Sequence, residues 1–191
     1  MIELCPPGVI YIPCLWHAVE ADEGVPEILS AAAAAGWSIE PLEAGDVLTL
    51  SEHVSARVYQ PFPGMTDDAN GASLCMSVSI GDGSVLFTGD LPAEEERAFF
   101  PDCDVLKAAH HGAKSSTSRL LIDMTSPAAA VISVGHNSYG HPSEETIARL
   151  KEAGTAVYRT DECGAVSVLL GADGLIQITP MNAATESEAA S

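Results

Sequence analysis

Asp90, the paired His110 and His111, and the His136/His141 loop are the groups in this sequence whose types and spacing suit metal-assisted chemistry. Thr88-Gly89-Asp90 follows an apolar run. An aspartate at the C-terminal end of a strand can point into a crevice and ligate or bridge metals, although Gly-Asp after a strand is also a common turn. Leu106 to Ser116 carries a second motif, in which a strand runs into His110-His111-Gly112, Lys114 and two hydroxyls. Adjacent strand residues face opposite sides, so both histidines serve one centre only if the backbone turns there. Gly112 permits such a turn; without it one histidine belongs to the core and the other to the surface. The third motif, Ser133 to Pro142, sets two histidines, two glycines and Asn137 in a loop before a helix, where function commonly resides.

Aspartate and imidazole together suit Zn or Mn. Two such ions can generate a hydroxide and clamp a phosphate in line. Six of the eight basic residues lie between positions 107 and 159, and Lys107, Lys114 or Arg159 near the metals would favour an anionic substrate. Residue types and spacing thus point to a metal-dependent hydrolase of something anionic.

The elements that must position these groups read as an α/β alternation. Strands are expected at Val9–Pro13, Asp46–Leu50, Val54–Gln60, Ser73–Ile80 and Ser84–Gly89, the last two joined through Gly-Asp-Gly. Further strands are expected at Asp104–Ala109, Ala128–Val134 and Ala156–Arg159. Ala165–Leu170 and Leu175–Thr179 read as a final hairpin. Helices are expected at Val25–Ala35, Pro92–Phe100, Ser116–Met124 and Ser143–Lys151, the last with Glu144 and Glu145 at its positive end. Residues 1–181 form one domain, and the polar stretch 182–191 reads as a disordered tail.

At 191 residues, 47% of them apolar, the chain is long enough for one well-filled core. Its net charge of −19 argues against a whole-surface binder of DNA or anionic membrane, without excluding a local basic site. No apolar run is long enough to span a membrane. The first basic side chain is Arg57, which does not fit a secretory signal peptide. Five widely spaced cysteines without a C-x-x-C pair read as reduced thiols, consistent with a cytoplasmic location.

From Val85 to Leu170 the sequence resembles the C-terminal half of a metallo-β-lactamase-fold domain, in the branch found at the C-terminus of the DNA-uptake channel protein ComEC and in free-standing hydrolases. Four ordered motifs carry the resemblance: Leu86-Phe87-Thr88-Gly89-Asp90, Asp104 to Ser116, Ser133 to Pro142, and Val157 to Val166. Upstream, Leu42 to Asp46 is similar to the branch's L-x-A-G-D turn, and Thr66 to Leu74 to its DD-x-N-x-x-S-L loop. The resemblance implies a partial αββα sandwich, with mixed sheets flanked by helices, and two divalent metals, Zn or Mn, in the complete domain. It implies Asp90, His110 and His111 as metal ligands, with Asp90, Lys107 and His141 in the catalytic machinery. Asn70, Ser73, Lys114 and Asn137 would meet the substrate, a phosphoester or phosphodiester such as nucleic acid. Ala113 stands where the branch usually has serine.

The family's H-x-H-x-D-H motif, which supplies most ligands of both metals, does not occur in the sequence; His17 and His53 stand alone. The expectation is therefore an N-terminally truncated domain, incomplete for catalysis by itself, needing a complementing N-terminal segment or a second copy. The alternative is a non-catalytic interaction domain that pairs with another chain. Membrane association would follow if the chain belongs to a longer ComEC-type protein.

Overall fold

In a computed structural model, the structure describes residues 8–20, 24–97 and 99–182. Its centre is a seven-stranded sheet. Strands β3 (Val47–Thr49), β4 (Val54–Gln60), β5 (Cys75–Ile80) and β6 (Gly83–Phe87) form an antiparallel meander. From β6 the sheet continues in parallel through β7 (Val105–Lys107), β8 (Ala129–Ile132) and β9 (Ala156–Arg159). Helix α2 (Arg119–Thr125) connects β7 to β8, and α3 (Glu144–Glu152) connects β8 to β9. Parallel neighbours need such crossovers, and β8 is packed on both faces, by these helices on one and by a C-terminal hairpin on the other, which explains the unbroken apolar run Ala129-Ala130-Val131-Ile132.

Alternation along the strands divides two cores. Leu86, Leu106, Ala130 and Ile132 face α2 and α3, packing with Leu121, Ile122, Ile147, Leu150 and the fully buried Phe100. Val85, Val105 and Ala129 face the other way. There they meet Val168, Leu170, Ile176 and Ile178 of an antiparallel hairpin, β10 (Val166–Leu170) with β11 (Ile176–Pro180). A separate unit precedes the sheet: β1 (Val9–Pro13) pairs in parallel with β2 (Ser38–Leu42), with α1 (Val25–Ala34) between them in sequence. Pro26 sits in the first turn of α1, where its missing N–H costs no helical hydrogen bond.

The mixed α/β architecture with helices flanking a central sheet agrees with expectation; several boundaries do not. The helix expected over Pro92–Phe100 is a single 3-10 turn, Ala93–Glu95. The Glu95 carbonyl, which a longer helix would use internally, instead accepts from Gln60 Nε2 at 2.8 Å. Strand β2 and the helical turn α4 (Thr160–Cys163) were not foreseen. The strand expected over Asp104–Ala109 stops at Lys107, and Ala109–Gly112 forms a 3-10 turn instead. Of the stretch expected to be a tail, residues 183–191 lie outside the described residues.

Candidate metal centre

The motif residues gather beyond the C-terminal ends of β6, β7 and β8, the edge where open parallel sheets build their sites. Asp90 follows β6. Its backbone N–H donates to Ser73 Oγ at 3.0 Å, so Ser73 is a support of the Asp90 turn. The turn needs Gly89: it has φ +55°, and a Cβ there would lie 2.8 Å from Ser73 Cβ and Oγ. The Gly89 carbonyl accepts from His110 N–H at 3.1 Å, which ties the aspartate turn to the paired histidines.

Those histidines do not continue β7. His110 (φ +46°, ψ +47°) and His111 (φ +54°, ψ +25°) both adopt left-handed backbone, followed by Gly112 at φ +78°. This run swings both rings to one end of the sheet, the turn that the spacing required. Ala109 N–H donates to Thr117 Oγ1, and Gly112 O accepts from Ser143 N–H at the cap of α3. Left-handed geometry costs a non-glycine residue about 1–2 kcal/mol and persists where the surroundings impose it.

His111 is oriented as a metal-binding imidazole would be. Its Nδ1 lies 2.7 Å from Ser133 O and donates to it in the Nδ1–H tautomer, leaving Nε2 with a free lone pair. Nε2 stands 3.8 Å from Asp90 Oδ2. An ion about 2.0–2.2 Å from each atom fits within that span. The His110 ring is 6.3 Å from His111 and 5.5 Å from His141, centroid to centroid, in both cases edge to face. The two donors fit one side of a divalent-metal site. They do not form a closed shell: among the described residues, no three His, Cys, Asp or Glu side chains gather to hold an ion.

The remaining expected residues divide by what they touch. Lys107 is half-buried, and its Nζ donates to Ala108 O at 2.8 Å. Burial pulls its pKa below that of an ordinary lysine, and the Asp90 carboxylate partly offsets the effect. Lys114 pairs with Glu145 at 2.7 Å on the exposed surface. Asn137 commits its amide to its own loop: Nδ2 donates to Gly135 O and His141 O, and Oδ1 accepts from Tyr139 N–H and His141 N–H. Asn70 contributes a carbonyl that accepts from Ser73 N–H. His17, outside the motifs, meets Asp67 at 3.2 Å.

Two residues inside the motifs are given no role of their own by the sequence. Thr160 Oγ1 accepts from Val134 N–H at 2.8 Å and lies 2.7 Å from Val134 O, pinning the start of the His136/His141 loop. Tyr139 lies stacked beside His141 at that loop's tip. A hydroxyl directly after a strand and an aromatic between polar loop residues were the available signals.

The fold and these turns define a class. The chain belongs to the metallo-beta-lactamase superfamily, whose family model matches residues 13–136. It is 35% identical over 146 residues to ComE operon protein 3 of Bacillus subtilis, covering 73% of this chain and 19% of that protein. It is also 35% identical over 115 residues to Competence protein ComA of Neisseria gonorrhoeae, covering 56% of this chain and 17% of that protein. The chain thus spans under a fifth of these relatives. Among solved structures, CmlA, a diiron beta-hydroxylase from Streptomyces venezuelae, superposes with a TM-score of 0.52. That match has 13% identity and covers 89% of this chain and 39% of CmlA; it bears on the fold alone. Among the described residues, no helix is long and apolar enough to cross a membrane.

Proposed function

We propose that this chain carries one side of the metal site of a ComEC-like hydrolase acting on phosphoester or phosphodiester substrates, nucleic acid among them. The observation that carries the reading is the Asp90–His111 pair, with Nδ1 of His111 engaged by Ser133 O and Nε2 facing the carboxylate. Asp90 and His111 would hold divalent metal, Zn or Mn, with His110 beside them. When bound, such a centre supplies a hydroxide nucleophile and neutralises charge on the phosphate. Lys107, its charge near Asp90, balances the carboxylate and favours an anionic ligand. His141 stands beside His110 as the group to exchange a proton with the leaving oxygen. Ser73 and Asn137 act as positioning residues for the Asp90 turn and the His141 loop. Asn70 and Lys114 lie in the flanking segments that would meet substrate.

Two protein donors do not close a catalytic shell, and the sequence has no H-x-H-x-D-H to add more. The remaining donors would come from outside the described residues, a second chain among the sources. The same shortfall favours a second reading, an interaction domain that pairs with another chain without catalysing.

Metal retained per chain, after loading with Zn or Mn and dialysis, tests the site. Wild type and His17→Ala should retain metal alike. Asp90→Asn and His111→Ala should each lower affinity by at least roughly tenfold, the scale on which metal-site residues act. Equal retention by all four proteins overturns the assignment. No retention by wild type favours the interaction reading.

A further inference from the structure

The tip of the His136/His141 loop presents Tyr139 in a way the metal centre alone does not explain. Tyr139 is 82% exposed, unusual for a large aromatic side chain. Its backbone is nevertheless held, because its N–H donates to Asn137 Oδ1 at 3.0 Å. Its ring lies beside His141 with centroids 6.2 Å apart and planes 25° from parallel. Tyr139, His141 and Asn137 share with His111 and His136 a cleft of about 220 Å³. The cleft therefore joins His111, whose Nε2 faces Asp90, to the exposed ring of Tyr139. Thr160 fixes the base of the loop and Asn137 fixes its tip, so little ordering remains for a ligand to impose.

Single-stranded nucleic acids are gripped by bases stacked on aromatic rings and by cationic groups along the backbone; the exposed ring of Tyr139 offers the first, and Lys107, near Asp90, a cation for the second. Stacking needs only a π-face and few cations, which suits a chain of net charge −19. We infer that Tyr139 is a stacking platform for a nucleobase of single-stranded nucleic acid, and positions the adjoining phosphodiester toward Asp90 and His111. This rests on the phosphodiester reading above and adds to it the recognition of a base.

The test is fluorescence anisotropy with two labelled strands of equal length, oligothymidylate and its abasic deoxyribose-phosphate counterpart, each in the presence of Mn. Wild type should bind the base-bearing strand roughly tenfold more tightly, within the range of one base–aromatic stack. Tyr139→Ala should abolish that preference while leaving binding of the abasic strand unchanged; Tyr139→Trp should keep the preference. The exposure of the ring makes a folding defect in either variant no part of the expectation. Equal binding of the two strands by wild type, or a preference that survives Tyr139→Ala, overturns the platform and leaves the phosphodiester reading standing. Failure of wild type to bind either strand overturns both the platform and the nucleic-acid reading.

Discussion

Gly112 is the residue on which the paired histidines turn. A Cβ at this position would come within 2.7 Å of Pro142 Cβ and 3.1 Å of Ile132 Cγ2, at φ +78°. Gly112→Ala therefore meets both backbone strain and a clash with a rigid ring. It should cost about 2 kcal/mol or more, read as a lower urea midpoint with little change in slope. The sequence permitted a turn here but did not show that His110 and His111 would themselves be left-handed. That conformation is held by bonds to Gly89 O and Ser143, distant along the chain, and to the nearer Thr117. Asn137 shows the same limit. The resemblance set it against substrate, yet its partners are the carbonyls and N–H groups of its own loop.

Glu96 links two elements, the turn after β6 and the cap of α2. Its carboxylate accepts from the Ser118 N–H and hydroxyl, while Ser118 Oγ accepts from Leu121 N–H to cap the helix. Burial pushes the Glu96 carboxyl above the ordinary glutamate value, against the opposing effects of Ser118 and Arg149. With the folded pKa raised, its contribution is fully present below the unfolded value of about 4.3 and is lost as pH rises through the folded value. Glu96→Gln removes that slope. The difference in urea midpoint between wild type and Glu96→Gln should shift in favour of wild type on going from neutral to mildly acidic pH. A pH-independent difference would show that the carboxyl titrates alike in both states. Here the sequence misled for a definable reason: an acid-rich stretch after proline resembles a helix start, but Gln60 takes the Glu95 carbonyl that a helix would have used.

At the scale of the whole molecule, the sheet is covered differently on its two sides, by α2 and α3 on one and by the β10–β11 hairpin on the other. Alternating apolar residues and the Gly171–Gly174 turn made the hairpin legible in sequence; its seat against Val85, Val105 and Ala129 was not, because that contact joins segments some 40 to 90 residues apart. Val168→Asp sets a carboxylate against this apolar surface and should cost at least about 2 kcal/mol, measured by chemical unfolding. The same charge at Leu169, which is 62% exposed, should change little. The alternation of strands and helices after β6 was likewise legible, while the parallel order of β6 to β9, and with it the edge where the motifs meet, is seen only in the fold. What sequence alone withheld was the geometry between motifs, the 3.8 Å from Asp90 to His111.

The loop from Val134 to His141 is braced from within by Asn137 and at its root by Thr160. It behaves as a cartridge, because most of the polar contacts that set its shape lie within it. The His110–Gly112 turn has no such independence, because Gly89, Thr117, Ser133, Pro142 and Ser143 all grip it. A substitution inside the loop should therefore stay local, whereas one in the turn should be felt at every segment that grips it.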